Sequence, residues 1–317
     1  MSQNEFYTAV VDGILDYFPE DYQDAKVLIA EQTKSGDVQV HGLTIAKEEN
    51  RISPILYLDS FYDSYLRGED MSHIMRTIAA TYVQAIRKQP DIEIPDFSKE
   101  GLEKNVLIRA IDRNANENFI KDRPYIDLGC GYVGTMYVPM EVDENRAMVQ
   151  LTYGNLDSVG IDPDALFEKA VENTEKMQPA VFANMEEILF APDPEPNLLK
   201  ENPHADPESQ LLVLTNRLSY HGATALFYPD TREEIGNILG QNFYVLPSSI
   251  HEVLIVPEKN AIAGPEQMVQ MVKEINETQV APEDRFGNRV LFYDRDAKEL
   301  QIAADLDRKP PAKGKEL

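Results

Sequence analysis

Apolar residues recur at helical spacing most plainly between Met71 and Ile86. There Met71, Ile74, Met75, Ile78, Ala79, Tyr82, Val83 and Ile86 alternate gaps of three and one, a pattern that only a helix gathers into one stripe. Asp70 stands at its N-cap position. A methionine and aromatic stripe of this kind reads as core, not as a cofactor box. Similar spacing of Phe6, Val10, Ile14 and Tyr17 follows the capping-box pair Ser2 and Glu5 and predicts a first helix ending near Pro19. Two strands are predicted next, over 26–33 and 38–45, joined at Ser35-Gly36-Asp37. In the second, the apolar positions change phase from Val38 and Val40 to Leu43 and Ile45, with Gly42 at the slip, which predicts a β-bulge. An extended piece over 54–58 leads into a helix through Phe61, Tyr62 and Tyr65, closed by Gly68. Pro90 and Pro95 bracket the first linker.

Residues 98–190 read mostly as strands, over 106–112, 125–138 and 147–153, with Asp143-Glu144-Asn145 as a hairpin turn. Asp162-Pro163 then opens a helix whose buried face is Leu166, Phe167, Ala170, Val171 and Met177. Between 191 and 209, Pro192, Pro194, Pro196, Pro203 and Pro207 exclude a central strand or continuous helix, so a linker is expected. Beyond it lie predicted strands over 211–215 and 223–228 and a helix capped by Asp230 and Glu233. Strands over 243–246 and 250–256, a helix over 264–276 and a hairpin of 290–293 with 299–302 complete the order. Strand pairs separated by single helices favour antiparallel sheets with helices on one face, an α+β chain of two to three lobes. The expected boundaries are 1–95, a strand-rich 96–190, the linker 191–209, a C-terminal lobe over 210–304 and a disordered basic tail over 305–317.

Charge narrows the function classes. Thirty Lys and Arg face 55 Asp and Glu, a net of −25 over 317 residues. Such a surface repels phosphate backbones and anionic membranes, so direct nucleic-acid binding and membrane association are not expected. The simplest reading is a solubilising surface, with a basic protein partner, metal ions or mimicry of DNA by carboxylates as the alternatives it leaves open. Cys130 is the only cysteine, which excludes an intrachain disulfide and a cysteine zinc cage. Histidines 41, 73, 204, 221 and 251 show no ligand spacing, so no metal is expected, and no cofactor. The first residues lack a signal-peptide pattern and no run reaches the length of a membrane span, so a cytoplasmic location is the default.

Three motifs carry chemistry worth weighing. Asp127-Leu128-Gly129-Cys130-Gly131-Tyr132-Val133-Gly134 matches G-x-G-x-x-G and resembles the first motif of S-adenosylmethionine-dependent methyltransferases. That chemistry needs a helix after the glycines, whereas Thr135-Met136-Tyr137-Val138-Pro139 reads as strand. A glycine-bearing antiparallel strand is the expectation. In Pro247-Ser248-Ser249-Ile250-His251-Glu252, Ser249 and His251 would share one face of a strand, so Ser249, His251 and Glu252 are the candidate catalytic residues of a hydrolase. A turn closed by hydroxyls is the simpler reading. The loop Asn216-Arg217-Leu218-Ser219-Tyr220-His221-Gly222 offers Asn216, Tyr220 and His221 as candidate ligand contacts.

Three stretches carry a family resemblance: Tyr244-Val245-Leu246-Pro247-Ser248-Ser249-Ile250-His251-Glu252-Val253, Asn276-Glu277-Thr278-Gln279-Val280-Ala281-Pro282-Glu283, and Ser53-Pro54-Ile55-Leu56-Tyr57-Leu58 with Phe61-Tyr62. Together they resemble an uncharacterised bacterial family known as a domain of unknown function. Its members occur in anaerobic gut-type bacteria, often on mobile elements. The Pro-Ser-Ser-Ile-His-Glu box is the most specific part, and the resemblance implies no activity, cofactor or catalytic residue. The leading expectation is a non-enzymatic, acidic, cytoplasmic interaction protein, an adaptor or DNA-mimic-like antagonist. The alternative is an enzyme, a hydrolase with its site around Ser249 and His251.

Overall fold

The computed structural model describes residues 1–47, 53–88, 94–142, 145–186, 197–200 and 211–307. Pro90, the 143–144 part of the expected turn, most of the Pro-rich segment and the tail from 308 lie outside the described residues. Two compact units are present, Met1–Lys34 with Val38–Ile92, and Ser35–Asp37 with Glu93–Leu317.

In the first unit, α1 (Gln3–Gly13) starts on the Ser2–Glu5 capping box and buries Phe6, Tyr7 and Val10. Ile14 is buried in the short 3₁₀ turn that follows, whereas Tyr17 is exposed, because the tighter turn rotates it off the stripe. Strands β1 (Lys26–Thr33), β2 (Gln39–Ala46) and β3 (Leu56–Tyr57) form an antiparallel sheet. The predicted bulge is absent: β1 and β2 pair in continuous register from Lys26↔Ala46 to Thr33↔Gln39. The apolar phase changes because both faces of β2 are covered. Leu43 and Ile45 join the helical core, while Gly42 lies on the opposite face, where an added Cβ would sit 2.5 Å from Ile55 Cγ2. α2 (Asp59–Leu66) ends before Gly68. α3 (Met71–Lys88) starts where Asp70 Oδ1 accepts from the Ser72 and His73 N–H groups, and it buries Ile74, Met75, Ile78, Ala79 and Tyr82.

The second unit holds two antiparallel sheets. α4 (Lys99–Asn105) precedes β4 (Leu107–Asp112), and the segment read as one strand over 125–138 is a hairpin of β5 (Tyr125–Gly129) and β6 (Tyr132–Val142). Gly129, Cys130 and Gly131 all have positive φ at its turn. β7 (Asn145–Gln150) pairs with β6, giving the order β4-β6-β5 with β7 branching from β6. α5 (Tyr153–Val159) begins on the last residue of the strand expected over 147–153. Its Thr152–Asn155 capping box and the left-handed Gly160 bound a helix too short to show periodicity. α6 (Pro163–Met177) has Asp162 as N-cap and Pro163 first, as expected, although Met177 is exposed. Thr174 ties it to β4 by accepting from the Ile108 N–H at 2.8 Å.

β8 (Ala180–Asn184), not foreseen, pairs with β9 (Leu212–Asn216), so chain on both sides of the Pro-rich segment shares one sheet. The predicted strand 223–228 is a buried 3₁₀ segment, Gly222–Phe227. A short apolar run does not distinguish the two, and Thr224 accepts from the Ala110 N–H instead of joining a ladder. α7 (Thr231–Leu239) follows, with Asp230 at its N-cap in a left-handed conformation that makes no side-chain cap bond. β10 (Phe243–Pro247), β11 (Val253–Pro257), α8 (Pro265–Thr278), β12 (Arg289–Asp294) and β13 (Glu299–Asp305) complete the unit. The large sheet runs β13-β12-β10-β11-β9-β8, antiparallel throughout. The fold is α+β. No helix of the described residues is long and apolar enough to cross a membrane.

Candidate functional site

The glycine motif is a structural joint. Arg289 and Asp112 are both fully buried and form an ion pair, with Asp305 Oδ2 3.8 Å from Arg289 Nε. Arg289 Nη1 also donates to the Cys130 carbonyl at 2.7 Å. Gly131, at φ +82°, packs directly on that guanidinium, so an added Cβ would overlap it. Burial opposes the charge on Arg289, but Tyr132, Asp112, Asp305 and Asp307 outweigh it and hold its pKa above the ordinary arginine value. No helix follows the glycines, and the turn serves a buried ion pair.

The serine box closes a turn. Ser249 Oγ and Ser248 Oγ each donate to Glu252 Oε1 at 3.1 Å. Ser249 Oγ accepts from the His251 backbone N–H at 3.0 Å, and the Ser249 N–H donates to the Glu252 carbonyl. The His251 imidazole points elsewhere. Its Nδ1 accepts from the His221 backbone N–H at 3.2 Å, which places the proton of the neutral ring on Nε2, 3.6 Å from Asp284 Oδ1. No serine–imidazole hydrogen bond is made, so the hydroxyl lacks the base a nucleophile needs. Strand geometry is also absent here, since β11 begins only at Val253.

The two loops singled out in the sequence do converge. His221 and His251 lie ring to ring, with centroids 5.8 Å apart and an 8° interplanar angle, and Tyr220 sits 4.0 Å from the first and 5.6 Å from the second. Asn216 shapes this loop and is not presented to a ligand: Oδ1 accepts from the Leu218 and Tyr220 N–H groups, while Nδ2 donates to the Tyr220 carbonyl and to Gln178 Oε1. Gln178 in turn donates to the Tyr137 hydroxyl at 2.9 Å. Ser219 and His221 both have positive φ, a conformation that costs a residue bearing a Cβ about 1–2 kcal/mol. The surrounding network holds them there.

Beneath the loop lies a residue that the sequence reading passed over. Arg109, in the middle of β4, is 3% exposed, yet its Nε has no hydrogen-bond partner and its guanidinium has no ion-pair partner among the described residues. Thr135 is its cross-strand partner, and Tyr137 lies two residues further along the same face of β6. The Thr135 hydroxyl is buried without a partner among the described residues, as is His221 Nδ1. Tyr137 meets the His221 ring edge-on at 5.4 Å. Phe119 lies 5.3 Å from Arg109 Cζ and 4.1 Å from Arg123 Cζ.

Burial lowers the Arg109 pKa to about 10, against the opposing pull of Tyr220, Tyr137 and Asp284, so it remains charged at neutral pH. Burial, then Arg109 and His251, push His221 well below the ordinary histidine range, so it is neutral. Burial raises Tyr137 to about 12. The cluster therefore offers one buried positive charge, the neutral His221 imidazole, phenols, and Asp284 facing the His251 ring. Among the described residues no group of three or more His, Cys, Asp or Glu is arranged to hold a metal ion. The sequence signal for Arg109 was a lone cation inside the run Val106-Leu107-Ile108-Arg109-Ala110-Ile111.

A model of a family of unknown function, DUF5688, matches residues 3–295. No curated protein and no solved structure matches the chain.

Proposed function

The chain belongs to DUF5688, a family of unknown function, and from the cluster around Arg109 we propose that the protein is a receptor for a small monoanion, a carboxylate bound against that guanidinium. One observation carries the reading: Arg109 is almost wholly buried, its Nε has no hydrogen-bond partner and its charge has no ion-pair partner among the described residues, only the face of the Phe119 ring. A buried charge without a partner costs several kcal/mol, and side chains so placed are retained where a charge meets them. The orphaned Thr135 hydroxyl and His221 Nδ1 supply further hydrogen-bonding capacity around one charge. One buried cation beside the neutral His221 suits a carboxylate better than a phosphate dianion.

The test is calorimetry and thermal denaturation of the full chain against a panel of small carboxylates, with inorganic phosphate for comparison. A carboxylate is expected to raise Tm in a concentration-dependent way. Arg109→Met is expected to lose that response while remaining folded, with an unliganded Tm no lower than wild type, because the substitution removes an uncompensated charge. An Arg109→Met variant destabilised by about 3–5 kcal/mol, with no wild-type response to any anion, would mark the guanidinium as purely structural.

A second reading rests on the net charge of −25. An acidic surface favours a basic protein partner, and a non-enzymatic interaction protein remains compatible with a ligand-gated one. Capture of a partner that weakens steeply with added salt supports it, and capture indifferent to salt removes its electrostatic basis.

A further inference from the structure

A second polar site lies away from Arg109, in a cleft of about 340 Å³ lined by Asn114, Asn276, Arg285, Gly287, Asn288 and Asp307 among others. Its volume falls within the range of small-molecule sites. Asn276, near the end of α8, is 2% exposed and makes only half of its hydrogen bonds. Nδ2 donates to the Gly287 carbonyl at 3.0 Å and to Asn288 Oδ1 at 2.9 Å, while Oδ1 is buried with no partner among the described residues. With both amide hydrogens committed, the amide orientation is set, and the oxygen requires an incoming donor.

Arg285 supplies the opposite demand. Its Nε donates to the Val280 carbonyl at 3.2 Å, and no ion pair of its guanidinium is present among the described residues. Asp307 completes the lining: Oδ2 accepts from the Asn288 N–H at 2.7 Å and Oδ1 from Asn288 Nδ2 at 3.0 Å, which leaves each oxygen able to accept again. Gly287, at φ +85°, holds the wall in place, since an added Cβ would sit 2.6 Å from Asp112 Oδ2. The lining thus combines a partly exposed cation with no ion pair among the described residues, a buried amide oxygen that lacks a donor, and a carboxylate able to accept further hydrogen bonds.

We infer that this cleft binds a free α-amino acid, whose carboxylate pairs with Arg285 and whose ammonium donates to Asn276 Oδ1 and the Asp307 carboxylate. A plain carboxylate leaves Asn276 Oδ1 and Asp307 unmatched, and a plain amine leaves Arg285 unmatched. A zwitterion satisfies all three.

The experiment titrates the full chain with individual L-amino acids, their N-acetyl derivatives and the corresponding decarboxylated amines. At least one free amino acid is expected to bind saturably, with the N-acetyl and decarboxylated forms at least tenfold weaker. Arg285→Met and Asp307→Asn are each expected to weaken binding tenfold or more. Circular dichroism and Tm of both variants confirm folding, and Arg285, being only partly buried, tolerates replacement. No saturable binding of any amino acid at millimolar concentration overturns the proposal. So does a response equal for free and N-acetylated acids that survives Arg285→Met, since this assigns the binding to Arg109, a site that reads only the anion.

Discussion

Replacing Asp112 with asparagine keeps the shape of the side chain and the Oδ1 that accepts from the Ala115 N–H at 2.8 Å, but removes the charge facing Arg289. The remaining acidic neighbours are Asp305, 3.8 Å from Nε, and Asp307, and neither member of the Asp112–Arg289 pair reaches solvent. Two unit charges about 3–4 Å apart attract by about 4–6 kcal/mol at an effective dielectric of about 20. Asp305 compensates part of the loss. Asp112→Asn is therefore expected to destabilise the second unit by about 3–5 kcal/mol, the usual cost of stranding one member of a buried pair. Arg289→Met should cost a comparable amount, because it strands Asp112 instead. The double variant should cost clearly less than the sum, with a coupling of about 2 kcal/mol or more, since nothing remains to be stranded. Urea denaturation followed by far-ultraviolet circular dichroism measures all three against wild type. Single variants that each cost under about 1 kcal/mol, or a double variant equal to the sum, would refute the claim that this pair braces the hairpin turn against β12.

Gly131→Ala should cost more than Gly129→Ala: both carry a left-handed penalty of about 1–2 kcal/mol, but only Gly131 also overlaps the Arg289 guanidinium, while none of the described residues lies within 4 Å of an added Cβ at Gly129. Equal losses by denaturation would show that Arg289 yields without cost. Ser249→Ala should lower stability by about 0.5–1.5 kcal/mol, the net worth of its turn hydrogen bonds. The wild-type chain should also resist fluorophosphonate labelling, and labelling that vanishes in Ser249→Ala would restore the hydrolase reading. In the first unit, burial works to raise Asp59, but hydrogen bonds from the His41 N–H, the His41 ring and the Tyr7 hydroxyl outweigh it and leave the carboxyl below its ordinary value. A depressed carboxyl contributes stability above its unfolded pKa and loses it as pH falls through the folded value. The Tm gap between wild type and Asp59→Asn should therefore be full at neutral pH and shrink as pH falls below about 4. A gap constant down to pH 2 would contradict the assignment.

Local interactions made much of the fold legible along the chain. The stripe from Met71 to Ile86 became α3, Ser2 and Glu5 cap α1, Asp162-Pro163 opens α6, and β1 and β2 lie within a residue of where alternation put them. Capping, periodicity and strand alternation act over a few residues, so sequence spacing records them. Errors fell where local signals are degenerate. The buried run Gly222–Phe227 is apolar enough for a strand, yet its backbone is 3₁₀ because Thr224 meets β4. The hairpin inside 125–138 was hidden because a two-residue turn carrying Cys130 and Gly131 interrupts an otherwise continuous β pattern.

The candidate sites depended on the tertiary structure to a greater degree. Nothing in the spacing of Tyr220 and His251 says that their rings lie 5.6 Å apart. Nor does any local pattern link either residue to Arg109, more than a hundred positions earlier. The sequence marked both loops as polar and left Arg109 looking like one charge in an apolar strand. Only the packing of β4 against β6, and of the loop after β9 over both, turns that charge into a buried cation without an ion-pair partner among the described residues. The same holds for Asn276 and Arg285, whose unmet hydrogen-bonding demands exist only once α8 and the segment before β12 enclose the cleft. Burial converts an ordinary polar side chain into one that must be satisfied, and burial is decided by contacts between residues far apart in the chain.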